Sequence, residues 1–219
     1  MLPSTEAMKT LVQCDFDGTI TLQDTSYLML DAFASGDWRQ PLAEYRKGKI
    51  TVGHFNTQAF AMIKADRQTL LDFIKGRVEI RAGFSELLDY CRGKGFQFVI
   101  VSNGLDFYID AILRDIGVEN VEVFAARTEF RPKGVEVKYI GPEGNQLQSN
   151  FKETYTRLFV KEGYRVIHVG NGISDLATAR QAHHVFATGD LLTGCKETNI
   201  NCIPFVNLDD IIKELELLD

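Results

Sequence analysis

Apolar and polar positions along the chain follow two different periods. Short, nearly continuous apolar runs occur at 10–14 (TLVQC), 96–101 (FQFVIV), 165–169 (RVIHV) and 184–187 (HVFA). Their length suits parallel strands covered on both faces. Between them the period lengthens to that of a helix. Phe84, Leu87, Leu88 and Cys91 recur at i, i+3, i+4 and i+7, with Gly95 as a stop signal, and a second pattern over 107–116 ends before Gly117. Asn150 with Glu153 reads as a capping box that opens a helix running to about residue 163. Asn207 starts a last helix with Ile211, Ile212 and Leu215 on one face. Strands and helices alternating in this way predict an α/β fold with a doubly wound, mostly parallel, Rossmann-like sheet.

The alternation breaks between residues 22 and 80. Amphipathic helical patterns lie at 27–34, 42–46, 52–63 and 69–74, and no convincing strand interrupts them. Because this stretch separates the first two core strands, the expected organisation is an α/β core of 1–21 and 81–219 with 22–80 inserted as a helical cap. Residues 128–145 depart differently. Val135, Val137 and Tyr139 alternate and a GPEGN turn follows at 141–145, which predicts a small β excursion. Internal repeats and low-complexity segments are lacking.

Composition narrows the class. The 219 residues are 45% hydrophobic and 25% charged, ordinary for a globular chain with a sizeable core. Thirty acidic residues against 24 Lys+Arg give a net charge of -6 with no basic run, which argues against nucleic acid or an anionic membrane as partner. A small anionic substrate needs only a locally positive pocket. No apolar stretch approaches the roughly 20 residues that span a bilayer, and the first ten residues lack the basic start and apolar core of a signal peptide. Cys14, Cys91, Cys195 and Cys202 show no CxxC spacing, so the expectation is a reduced, cytoplasmic protein without zinc.

Four short segments carry candidate chemistry. Asp15-Phe16-Asp17-Gly18-Thr19 follows the first predicted strand, where open α/β sheets bind ligands, and carboxylates two apart in an irregular turn can face one site. Ser102-Asn103-Gly104 follows the second core strand in a small polar turn whose hydroxyl and backbone amides suit phosphate oxygens. Lys152 lies in the first turn of a predicted helix, where a cation opposes the macrodipole unless an anion lies close by. Lys133, between Pro132 and Gly134 in a loop, is the weaker alternative. Gly170-Asn171-Gly172-Ile173-Ser174-Asp175 follows the third strand.

In this order the four segments resemble the motifs of the haloacid-dehalogenase-like hydrolases, over nearly the whole chain. The resemblance implies that Asp15 attacks phosphorus to form an aspartyl-phosphate, while Asp17 protonates the leaving oxygen and then activates water. The family's dehalogenase branch lacks the second aspartate and its ion-pump branch has threonine there, so Asp17 points to phosphatase or phosphomutase chemistry. The resemblance further assigns phosphate binding to Ser102, Asn103 and Lys152, and Mg2+ to Asp15, Asp17, Asn171 and Asp175. Related phosphatases carry aspartate at the position of Asn171. An amide there keeps an oxygen donor and removes a charge, which predicts a weaker metal site. Asp24 is a substrate-contact candidate from the phosphoserine-phosphatase-like subgroup, or else the N-cap of the next helix. Phe33, Trp38, Tyr45, Phe55 and Phe60 are expected to form the cap's own core, with substrate contact as the alternative. His54, His168, His183 and His184 show no ligand spacing and receive no chemistry, and Cys14 is expected to point into the core.

The small helical insertion resembles the phosphoserine-phosphatase-like subgroup. The DFDGTIT start, Leu105-Asp106-Phe107 and the segment from Phe186 to Lys196 resemble more closely the branch that acts on the enol phosphate of methionine salvage. The resulting expectation is a magnesium-dependent phosphomonoester hydrolase for a small phosphorylated metabolite, either that enol phosphate or phosphoserine. A phosphate-ester-binding protein impaired in turnover by Asn171 stands beside it. A phosphomutase is a third reading, without an evident larger cap to support it.

Overall fold

The structure, a computed structural model, describes residues 9–218. Residues 1–8, included above in the first core segment and in the signal-peptide reading, lie outside the described residues. Among the described residues eight strands form one sheet: β1 (Thr10–Cys14), β2 (Gln97–Leu105), β3 (Glu122–Arg131), β4 (Gly134–Ile140), β5 (Gln146–Leu147), β6 (Arg165–Gly170), β7 (His184–Ala187) and β8 (Ile203–Pro204). Their spatial order is β5-β4-β3-β2-β1-β6-β7-β8. Every pair from β3 to β8 is parallel, whereas β3–β4 and β4–β5 are antiparallel.

The four apolar runs are the centre of this sheet. β1 is buried along its whole length, as continuous apolar runs in two-sided sheets require. β2 pairs on one side of β1 and β6 on the other, so the chain changes direction there, and the carboxyl ends of β1 and β6 flank a crevice. The sequence pattern understates two strands. β2 continues through Ser102, Asn103 and Gly104 to Leu105, with its register to β3 shifting between Val101 and Leu105, so the expected turn is an irregular strand end. The expected β excursion is a hairpin whose first strand, β3, also extends the parallel sheet.

Four helices fill the segment 22–80: α1 (Thr25–Phe33), α2 (Arg39–Arg46), α3 (Val52–Phe60) and α4 (Arg67–Ile74). Three have side-chain caps at their starts, Asp24 on the Tyr27 amide, Thr51 on His54 and Asp66 on Thr69. The hairpin packs along α3. Asn56 bonds Tyr139, Thr51 Oγ1 donates to the Gln148 carbonyl at 3.0 Å, and Lys64 Nζ donates to the Lys133 carbonyl.

The remaining helices are α5 (Phe84–Lys94), α6 (Asp106–Asp115), α7 (Phe151–Lys161), α8 (Leu176–Ala179), α9 (Gly189–Glu197) and α10 (Leu208–Leu218). α7 corrects the capping-box reading. Asn150 adopts a left-handed backbone (φ 58°) with no side-chain cap bond, an αL conformation that asparagine tolerates. Its carbonyl, not its side chain, engages the helix, accepting from the Thr154 amide at 2.9 Å. No helix among the described residues is long and apolar enough to cross a membrane.

Candidate active site

A cavity of about 390 Å³ opens at the carboxyl end of the sheet, and the ends of β1, β2 and β6, the start of α7 and the helical insertion all contribute to its wall. Asp15, Asp17, Ser102, Asn103, Lys152, Asn171 and Asp24 line it together. Parallel strands bring their carboxyl ends to one rim, so motifs at 15, 102 and 171 become neighbours.

The floor is a buried charge network. Lys152 Nζ lies 2.7 Å from Asp15 Oδ1 and 2.7 Å from Asp175 Oδ1. Burial alone would lower the lysine's pKa, but the two carboxylates overcome it and hold the ammonium charged. These contacts also resolve the unfavourable position of a cation in the first helical turn. Burial raises Asp15 against the pull of Lys152. For Asp175, Lys152 and His168 outweigh burial and hold the carboxyl below its ordinary range. Lys133, the weaker lysine candidate, lies in the β3–β4 turn, away from the cavity.

Two of the residues expected at the metal have protein partners. Asp175 is fully buried and does not line the cavity. One of its oxygens meets Lys152, and the other accepts the amides of Asn171 and Gly172 at 3.2 and 2.9 Å. It therefore orients Lys152 and the loop after β6. Asp17 lines the cavity, yet Oδ1 accepts the Thr25 amide at 2.9 Å and Oδ2 accepts the Tyr108 hydroxyl. Burial, reinforced by the charge of Asp15, raises Asp17 to about 6. Asn171 Oδ1 accepts from Thr19 Oγ1 at 3.0 Å, and its amide packs so closely on Gly18 that any side chain there would overlap it. Gly18 also has φ 73°, a second reason for glycine.

Two phosphate-binding candidates, Ser102 and Asn103, sit together at the end of β2. Ser102 Oγ accepts the Gly104 amide at 3.0 Å, which leaves its own O–H free to donate. The Asn103 carbonyl accepts both Asn56 Nδ2 (2.9 Å) and Tyr139 Oη (2.7 Å), fixing this strand end against α3 and the hairpin. Asn103 Oδ1 is buried without a hydrogen-bond partner among the described residues, an acceptor available to a ligand. Asp24 caps α1 through the Tyr27 amide at 3.0 Å and also lines the cavity, so both readings of this residue describe it. Burial, then the charge of Asp17, raises its carboxyl well above the usual range.

The aromatics divide in the same way. Trp38, Phe55 and Phe60 are buried, Phe33 packs on Phe73 with centroids 5.1 Å apart, and Phe55 stacks on Tyr45 at 5.9 Å. Tyr27, Tyr45 and Phe55 also face the cavity, joined by Arg46.

Several site residues went unread in the sequence. Arg81, the first residue after the helical segment, donates to the Gly18 and Thr19 carbonyls at 2.7 Å each and to Val206 at 2.8 Å, clamping the Asp15 loop. Its place at the segment boundary was the available signal. His168 was assigned no chemistry; it is fully buried with Nε2 3.3 Å from Asp175 Oδ1. Tyr108 follows the Ser102 segment closely enough to have been weighed with it. Nothing in the sequence signals the pairing of Asn56 with Tyr139, 83 positions apart.

Comparisons with known proteins place these motifs in a wider set. The sequence profile of haloacid dehalogenase-like hydrolases matches residues 12–180. The 2-hydroxy-3-keto-5-methylthiopentenyl-1-phosphate phosphatase of Bacillus mycoides (strain KBAB4) is 28% identical over 216 residues, covering 96% of this chain and 98% of that protein. A protein of the same name from Bacillus pumilus (strain SAFR-032) is 29% identical, covering 88% and 84%. Among solved structures, a phospho-aspartyl intermediate analogue of phosphoserine phosphatase superposes with a TM-score of 0.73 at 21% identity, covering 95% of this chain and 99% of that one. A substrate-bound phosphoserine phosphatase complex gives 0.72 at the same identity and coverage. At that identity the likeness is one of fold.

Proposed function

The chain belongs to the haloacid dehalogenase-like hydrolase family, and on that premise we propose that it is a magnesium-dependent phosphatase acting through an aspartyl-phosphate on Asp15. One observation carries the reading: residues from four separate motifs line a single cavity, with the Lys152 ammonium 2.7 Å from the Asp15 carboxylate. Asp15 attacks the phosphorus, its oxygen bonding as the ester oxygen departs. Asp17, with a carboxyl raised to about 6, gives that oxygen its proton and then takes one from the water that cleaves the acyl phosphate. Lys152 has three N–H bonds, two spent on Asp15 and Asp175, and the third reaches a phosphate oxygen beside the Ser102 hydroxyl.

Two carboxylates, Asp15 and Asp175, flank one ammonium, so this ion-pair group is net negative before a phosphate enters. A hard cation held by Asp15 and the amide oxygen of Asn171 suits this donor set, since magnesium takes one or two carboxylates together with water and substrate oxygens. Bound magnesium supplies charge that offsets the repulsion between Asp15 and the phosphate. The insertion 22–80 acts as the cap over the α/β core formed by the described residues on either side of it.

For substrate, the enol phosphate in the relatives' name is favoured by the apolar part of the wall: Leu22, Tyr27, Val52, Phe55 and Ile173. Phosphoserine is the second reading, because Arg46 offers a charge opposite to its carboxylate and Asp24 an oxygen acceptor for its ammonium. Turnover of both esters and of p-nitrophenyl phosphate, with magnesium and with chelator, separates the cases. Chelator and Asp15→Asn each abolish turnover, and Asn171→Asp lowers the magnesium needed for half-maximal rate about tenfold. Turnover surviving in Asp15→Asn would overturn the mechanism. Ester binding without turnover, restored by Asn171→Asp, identifies instead a binding protein impaired at that residue.

A further inference from the structure

Tyr108 has no task in the mechanism above, although its hydroxyl lies against the acid–base carboxylate. It is fully buried on α6. Its hydroxyl donates to Asp17 Oδ2 and lies 2.9 Å from Ser26 Oγ on α1. The other oxygen of Asp17 accepts the Thr25 amide, also on α1, at 2.9 Å. Each carboxylate oxygen therefore has its own donor, one from the core and one from the helical insertion. The ring is fixed as well, perpendicular to Phe107 with centroids 5.5 Å apart and 6.4 Å from Phe16. Strand β2 leaves room for the pair by carrying glycine: a Cβ on Gly104 would overlap both the Tyr108 hydroxyl and Asp17 Oδ2.

We infer that Tyr108 is a positioning residue for Asp17, holding the carboxyl so that its proton faces the leaving oxygen, with Ser26 fixing the tyrosine hydroxyl in turn. The inference rests on the proposed phosphatase reaction. A carboxylate offers about four acceptor positions. Tyr108 and Thr25 occupy two, and the others remain for the cavity that Asp17 lines. In the first step the Asp15 oxygen bonds to phosphorus, the ester P–O bond breaks, and its electron pair accepts the Asp17 proton. The more basic the leaving oxygen, the more the rate depends on that proton and on where it is held. A misplaced Asp17 thus has a signature that general loosening of the fold lacks.

The test is Tyr108→Phe, which keeps the ring and removes one oxygen, assayed on aryl phosphates graded by the acidity of their phenols. For phenyl phosphate kcat falls about tenfold or more, whereas for p-nitrophenyl phosphate, whose phenolate leaves readily, it falls less than about threefold, with KM within about twofold in both cases. Ser26→Ala moves the rates in the same direction by less, and carries the test if Tyr108→Phe does not fold. Equal losses on both esters, or no loss on either, would overturn the positioning role. Wild-type protein that hydrolyses neither ester would instead bring down the phosphatase reading, and this role with it.

Discussion

The floor of the cavity and the wall that the helical insertion builds over it hold their shapes by different forces. On the floor, Asp15, Lys152 and Asp175 are almost without solvent contact and are fixed by ion pairs of 2.7 Å. In the wall, Tyr27, Trp38, Tyr45 and Phe55 pack ring on ring at centroid distances between 5.1 and 6.5 Å. A buried ion pair tolerates little change, because removing one partner leaves the other charged and unsolvated. Aromatic packing is graded, losing contact area in proportion to what is removed. The floor is thus suited to a reaction that does not vary, and the wall to a substrate that can.

The sharpest test of this contrast is Lys152→Met. Two buried carboxylates would be left facing each other, so stability falls by about 3–5 kcal/mol in urea unfolding and turnover is lost. If Lys152→Met were as stable as wild type, the floor would not be the charge-locked region described. In the wall, Phe55→Ala removes a buried ring that touches Tyr27, Trp38 and Tyr45. It costs about 3 kcal/mol in the same experiment, and KM rises more than kcat falls because the ring also lines the cavity.

The third test is pH. Burial raises Asp17 from 3.8 to about 6 in the folded protein. A raised acid contributes stability that is complete below the unfolded value and is lost as pH rises through the folded one. In magnesium-free buffer wild type therefore loses stability relative to Asp17→Asn between about pH 4 and pH 6. A constant difference between the two across that range would mean that Asp17 is not desolvated. The smallest effect is at the wall's edge. Thr51→Ala removes the cap of α3 and its bond to Gln148, costing about 1 kcal/mol by thermal melting, with kcat unchanged.

The floor was largely legible in the sequence and the wall largely was not. Asp15, Ser102, Lys152 and Asn171 each follow a local signal, a strand end or a helix start, and such signals survive in one dimension. Lys152 was singled out because a cation opposes the helix macrodipole there, and the two carboxylates beside it account for the anomaly. Asn150 shows the limit of a local signal: the capping-box residues are present, but its left-handed backbone takes the side chain out of the cap. The wall's residues come from three helices and a hairpin, and nothing in the spacing of Asn56 and Tyr139 announces that they share the Asn103 carbonyl.

By itself the sequence determined the alternation of strands and helices, the inserted helical stretch and the order of the four motifs. Periodicity and turn chemistry are local, and a parallel sheet delivers its strand ends to a common rim whatever the side chains do there. Only the tertiary structure decided the pairing: that Asp175 turns inward to hold Lys152, that Asp17 faces Tyr108 and Thr25, and that Arg81 grips the loop of Asp15. Each of these partnerships joins groups far apart in the chain or on separate elements. Which donor meets which acceptor was settled when packing expelled water from between them and left each buried charge to find its partner.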